Sequence, residues 1–296
     1  MGYKALHGVF AGWLTLSGQV IAAQCETADQ WYFPERQAVA SSDAWLAELR
    51  DKSVILIGEH HDNAAHHQWQ LRVLKTLLAT QKQALLGFEM LPRSRQNVLD
   101  EWFRGTAGNA PLREALQWDS VWSFNFDYYY PLLETGRAAA AGLLALNAEA
   151  ELVASVRTVG WDQSPSHLRG DLYPPAPPSR DYLRLLAASF LGHVPPGGAA
   201  SDAERKQRFL RFVQGQQVWD SVMAQSIATA LRQQPAATVI AFMGSWHLID
   251  GGGVPHQLSQ LGVTDMAILV PWDEHLDCAG INPGYAHAIF GLDYRQ

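Results

Sequence analysis

Apolar runs of four or five residues break into polar, chemistry-bearing strings at several places along this chain. Val54-Ile55-Leu56-Ile57 leads into Gly58-Glu59-His60-His61, and Val239-Ile240-Ala241-Phe242-Met243 into Gly244-Ser245-Trp246-His247. Leu85-Leu86-Gly87-Phe88 ends in Glu89, and Leu143-Leu144-Ala145-Leu146 ends in Asn147. Short continuous apolar runs read as strands covered on both faces, here over 53–58, 84–89, 142–147, 237–243 and 265–270. Between them the period changes to that of helices. Trp69, Val73 and Leu77, with Leu74 and Leu78, predict a helix over 62–80 opened by Asp62 or Asn63 as N-cap. Further helices are expected over 93–104, after Pro92, over 131–140, and over 209–231, where Phe212, Trp219, Met223 and Ile227 share a face. Strands alternating with helices imply an α/β fold: a largely parallel β-sheet flanked by helices, with right-handed crossovers.

The alternation fails between 164 and 210. Tyr173-Pro174-Pro175-Ala176-Pro177-Pro178 and Val194-Pro195-Pro196-Gly197-Gly198 exclude a helix or an inner strand. The amphipathic piece Tyr182-Leu183-Leu185-Leu186-Phe190 lies between them. The expected organisation is an α/β domain built from 25–163 and 211–296, with 164–210 as a smaller inserted all-helical subdomain.

Composition narrows the function. A formal charge of −7 and the lack of a Lys/Arg cluster exclude a nucleic-acid binder. Lys4, the apolar stretch Val9 to Ile21 and the small residues Ala22 and Ala23 have the layout of a signal peptide over 1–24. The chain is therefore expected to be exported. Cys25, just past this segment, is a candidate lipid anchor of a lipoprotein or a disulfide partner of Cys278. Its predecessor is Gln24, where a lipoprotein signal carries a small residue.

If the strands are parallel, their polar carboxyl ends converge, and open α/β sheets build their sites there. Glu59, His61, Glu89 and His247 could then hold a metal ion or run acid–base chemistry, or satisfy one another as a buried polar network. His66 and His67 are expected to make local contacts. A second kind of chemistry is carried by the tyrosines of 124–131, Tyr129 among them, and by Tyr173 and Tyr182. A phenolate is an axial ligand of ferric haem, whose pocket needs apolar walls and cations for the propionates. Arg180, Arg184, His193, Lys206 and Arg208 bring such cations to the insertion. No Gly-x-Ser-x-Gly, Walker or Cys-x-x-Cys motif is present.

Taken together, Leu56-Ile57-Gly58-Glu59-His60-His61-Asp62 with His66-His67, Gly87-Phe88-Glu89-Met90, Tyr129-Tyr130-Pro131-Leu132-Leu133-Glu134, Ala145-Leu146-Asn147-Ala148, Gln214 to Ala224 and Gly244-Ser245-Trp246-His247 resemble the ChaN-like haem-binding proteins of bacterial haem and iron uptake. These belong to a superfamily with the TraB and Tiki proteins. The resemblance spans about 53–272. It implies binding of haem (iron protoporphyrin IX) in haem transport, with the iron held by a tyrosine in a pocket completed by a second subunit. By that carry-over Tyr182 is the axial ligand, His193 and Lys206 meet the propionates, and Tyr129 is the second choice of ligand. A homodimer formed on haem binding and an outer-membrane haem receptor are the implied partners. The Tiki branch implies a different reading, a metal-dependent hydrolase or peptidase with Glu59, His61, Glu89 and His247 as catalytic groups.

Overall fold

In the computed structural model, residues 28–106, 108, 111–193, 201–272 and 281–292 are described. The expected signal segment, Cys25 and Cys278 lie outside these residues, as does the side chain of His193. Among the described residues no helix is long and apolar enough to cross a membrane.

Eight strands form one sheet: β1 (Trp31–Phe33), β2 (Ala38–Ala40), β3 (Val54–Glu59), β4 (Ala84–Pro92), β5 (Gly142–Asn147), β6 (Thr238–Gly244), β7 (Met266–Trp272) and β8 (Ala288–Gly291). Their order is β2-β1-β8-β7-β3-β6-β4-β5. From β8 to β5 every neighbouring pair is parallel; β1 and β2 add an antiparallel margin. This is the expected α/β architecture, extended by three short strands that the periodicity missed. The main helices are α1 (Ala64–Leu78), α2 (Gln96–Phe103), α3 (Phe126–Ala138), α4 (Ala150–Val159), α5 (Arg180–His193), α6 (Asp202–Gln233) and α7 (Gly253–Gln260).

Alternation along each buried strand sends successive side chains to opposite faces. Ile55, Ile57, Phe88, Ile240, Phe242 and Leu269 pack against Trp69, Val73 and Leu77 of α1 and Tyr129, Leu132 and Leu133 of α3. Val54, Leu56, Val239, Ala241, Met243 and Ile268 pack on the other face against Met223 and Ile227 of α6 and Val254 and Leu258 of α7. The chain builds β3, β4 and β5 with helices on the first face. It then returns through α6 on the second face to insert β6 between β3 and β4. A crevice opens at such a reversal of strand order, outside the carboxyl ends.

Two helices start earlier than expected, each for a capping reason. Asn125 accepts from the backbone N–H of Asp127, so α3 begins at Phe126 and Pro131 falls inside it. Ser201 and Glu204 form a capping box, so α6 begins at Asp202. The 210/211 division therefore falls within one continuous helix. α5 packs on the first turns of α6 through Tyr182, Leu186, Val213, Phe209 and Phe212. The Pro-rich stretch before α5 cannot pair as a strand, and glutamines take the place of a partner strand. Gln225 bonds both the N–H and the C=O of Tyr173 at 2.8 and 2.9 Å. Gln257 does the same for Ala176, whose carbonyl also accepts from Gln217.

Candidate functional site

Two hydrogen-bonded chains meet at the strand ends. The first starts at Glu59, the last residue of β3, which is buried. Its Oε1 accepts from the Tyr129 hydroxyl at 2.7 Å and lies 2.7 Å from His61 Nδ1. Its Oε2 accepts from the Gln70 amide at 2.9 Å. Asn63 caps α1 and so brings His66, His67 and Gln70 under the end of β3. His67 Nε2 lies 3.1 Å from the His61 carbonyl, fixing the turn that carries His61. His66 instead accepts the His60 N–H, and the two rings stand 4.9 Å apart, which takes His60 to the α1 side.

The second chain starts at Tyr182 on α5. Its hydroxyl donates to Asp220 Oδ2 at 2.6 Å, and Asp220 Oδ1 lies 2.5 Å from His247 Nδ1. His247 Nε2 stands 3.4 Å from Glu89 Oε1, and Glu89 Oε2 accepts the Gly244 N–H at 2.7 Å. A register shift between Phe88 and Pro92 frees Glu89 from the regular pleat of β4 and turns it toward β6. Four residues proposed from sequence, Glu59, His61, Glu89 and His247, are thus brought together. Tyr129 and Tyr182 terminate the two chains.

Burial opposes charge on Glu89, but the His247 cation, its hydrogen bond, His61 and the Gly244 N–H outweigh it and pull the carboxyl down to about 2. Burial likewise opposes the His247 cation, and Glu89 with Asp220 overcomes it, raising that imidazole well above its usual range. His61 is also raised: its burial is outweighed by Glu59 and Glu89. Both phenols are pushed up, first by burial and then by the carboxylate each faces, Asp220 for Tyr182 and Glu59 for Tyr129. Each is held as a neutral hydrogen-bond donor.

Beside these groups lies a cleft of about 580 Å³. His61, Glu89, Asn147 and His247 form its polar side, and Met90, Trp122, Phe124, Val153 and Trp219 its apolar side, with Arg157 also lining it. His61 packs against Trp122 and Phe124, with ring centroids at 4.9 and 5.0 Å, and those two rings touch each other at 5.6 Å.

Asp220 and Gln70 were not singled out from the sequence. Asp220 occupies an apolar stripe with Met223 and Ile227, and Gln70 one with Val73 and Leu77; a polar group in such a stripe is the signal that would have found them. Gly251-Gly252-Gly253 follows His247 in the chain and packs against this network. A Cβ on Gly252 would stand 2.5, 2.9 and 3.1 Å from Cδ2, Cγ and Cβ of Tyr182, so this glycine makes room for the buried ring. Gly252→Ala is expected to lower stability by about 1–3 kcal/mol, because the clash is at the root of the tyrosine side chain, which cannot swing aside. Denaturant unfolding measures this, and an unchanged midpoint would contradict it.

The other residues expected to meet haem lie apart from this network. Lys206 is exposed on the first turns of α6. Tyr173, next to the Pro-rich stretch, is 65% exposed, whereas Tyr182 is 3% exposed.

No curated protein sequence matches the chain. Among solved structures it is similar to ChaN of Campylobacter jejuni, described with cofacial haem binding, at 20% identity and a TM-score of 0.68, covering 88% of this chain and 95% of that one. It is also similar to the type III effector HopBA1, at 10% identity and a TM-score of 0.51, covering 85% and 92%. At these identities the likeness establishes the fold. The model of a haem-binding uptake family of the Tiki superfamily, that of ChaN, matches residues 45–258, and the chain belongs to that family.

Proposed function

We propose that this protein binds haem for bacterial iron acquisition, the iron being held by a tyrosine phenolate and the site completed by a second copy of the chain. Family membership supports the ligand. The observation that carries the choice of residue is the contrast among tyrosines. Tyr182 and Tyr129 are buried and donate to carboxylates. Each would have to give up that bond and lose its proton against a neighbouring negative charge before binding iron. Tyr173 is exposed, and its backbone is pinned on both sides by the Gln225 amide. It can present a phenol at little ordering cost. Tyr173 would offer the iron an exposed phenol; Leu191, Leu210 and Lys206 are exposed on α5 and the first turns of α6, and Lys206 lies about 28 Å along that helix from the Gln225 that holds Tyr173, so it would meet a propionate of the same haem only from the second copy. Tyr173 is therefore the first-choice ligand, with Tyr182 and then Tyr129 behind it.

Haemin titration followed by absorbance tests this. Saturable binding with a high-spin ferric spectrum is expected, lost on Tyr173→Phe and retained on Tyr182→Phe and Tyr129→Phe. Loss in Tyr182→Phe alone would move the iron to α5. Because the second subunit is linked to the ligand, haem should raise the dimer fraction by mass action. Equal masses for the apo and loaded forms in sedimentation would contradict this. Export, with attachment at the outer membrane through Cys25 and exchange with a haem receptor there, is proposed as the setting.

A further inference from the structure

We propose that the strand-end cleft is a hydrolytic site for carboxylic esters with an apolar or aromatic part, with His61 as general base and Glu59 as the group that orients it.

The two imidazoles at the strand ends are not in the same situation. His247 has both ring nitrogens facing carboxylates, Asp220 and Glu89. His61 has only Nδ1 so placed, 2.7 Å from Glu59. In the neutral ring Nδ1 carries the proton toward Glu59, which leaves Nε2, without a hydrogen bond to a described residue, as the basic nitrogen of an imidazole that lines the cleft. The arrangement is over-determined. Glu59 cannot rotate, because Tyr129 and Gln70 donate to its two oxygens. Trp122 and Phe124, in contact with each other, both pack against the His61 ring. A Cβ on Gly244 would come within 3.1 Å of His61 Nε2, so a glycine there lets the imidazole pack closely against this strand end. A network serving stability alone would not need an imidazole with one ring nitrogen left without a described partner beside a cleft.

The rest of the cleft suits an ester. Trp122, Phe124, Val153 and Trp219 offer an apolar wall. The Arg157 guanidinium lies 5.8 Å from the Trp219 ring and has no carboxylate partner among the described residues, so it favours a substrate that also carries an anionic group.

In the reaction, His61 Nε2 takes a proton from a water molecule as the water oxygen bonds to the ester carbonyl carbon. The tetrahedral intermediate then collapses by breaking the bond to the alkoxy oxygen. His61 returns the proton to the leaving alkoxide, giving one acid and one alcohol per water consumed. No redox partner enters. Among the described residues no three His, Cys, Asp or Glu side chains are placed to share one metal ion.

The probes are the 4-nitrophenyl esters of acetate, butyrate and benzoate, with the haem-free full chain and with EDTA. Saturable, chelator-resistant hydrolysis is expected, with kcat/KM rising with pH along a single-proton limb. His61→Ala and His61→Gln should each lower kcat/KM by about 10²–10⁴-fold, with added imidazole restoring part of the rate in the alanine variant. The glutamine variant keeps a polar group toward Glu59 should alanine unfold the site. Three outcomes would overturn the proposal: no turnover above free imidazole in the native protein, unchanged rates in both folded variants, or loss with EDTA and recovery with zinc. The haemin titration of the same sample is read separately, so failure here and failure of the haem reading are distinguishable.

Discussion

Asp220→Ala is expected to destabilise the protein by about 3–5 kcal/mol, the cost of removing one partner from a buried ion pair. Asp220 is fully buried and serves two donors, the Tyr182 hydroxyl at 2.6 Å and His247 Nδ1 at 2.5 Å. Alanine leaves both without an acceptor, and the His247 cation retains only Glu89, at 3.4 Å. It also unfastens α5, since Tyr182 ties that helix to α6. An asparagine amide in the same place could accept from His247 and donate to the tyrosine oxygen, so Asp220→Asn should cost less. Denaturant unfolding compares the two; a loss under about 1 kcal/mol for alanine would mean that this chain of hydrogen bonds adds little to stability.

The second large effect is the pH dependence of stability. Glu89 is held at about 2 against an ordinary 4.5, so its contribution, about 3 kcal/mol at 1.36 kcal/mol per unit, is present above pH 4.5 and lost as pH falls through 2. His66 acts in the same direction for a different reason. Burial, then the His60 and His67 charges, holds it down to about 3 against an ordinary 6.5, so the unfolded chain takes up its proton first. Its contribution is present above pH 6.5 and declines toward 3. His247 and His61 are raised, so theirs is complete below 6.5 and lost as pH rises through their folded values. Stability should therefore peak near pH 6.5. The acid side should steepen below 4.5, where Glu89 and His66 titrate together, toward the two-proton slope of about 2.7 kcal/mol per pH unit. Glu89→Gln should remove the Glu89 share of that acid limb. An acid limb of the same slope in that variant would contradict the assignment.

How much of this was readable in the chain depends on length scale. The parallel core strands declared themselves because burial on both faces leaves no polar positions in runs such as Val54 to Ile57. β1 and β2, of three residues each, and the four-residue β8 are too short for a period to emerge, and their pairing depends on partners distant in sequence. The helix starts at Phe126 and Asp202 were set by Asn125 and Ser201, caps that lie outside the apolar pattern. Strand-end placement was enough to bring Glu59, His61, Glu89 and His247 together, with His61, Glu89 and His247 on one cleft and Glu59 buried behind His61. Sequence could not reveal that Asp220 reaches His247 from a helix on the second face, or that Tyr182 points inward while Tyr173 points out. Those depend on how α5 and the Pro-rich stretch dock, which three glutamine side chains determine.

At the centre of the proposed function is haem iron held by an exposed phenolate and not by the imidazoles of the cleft. Resonance Raman spectroscopy of the haemin-loaded protein, excited in the phenolate-to-iron charge-transfer band, tests it most directly. Iron–phenolate vibrations with high-spin ferric marker bands are predicted in the native protein and absent in Tyr173→Phe. A low-spin, histidine-ligated spectrum unchanged by that substitution would contradict it.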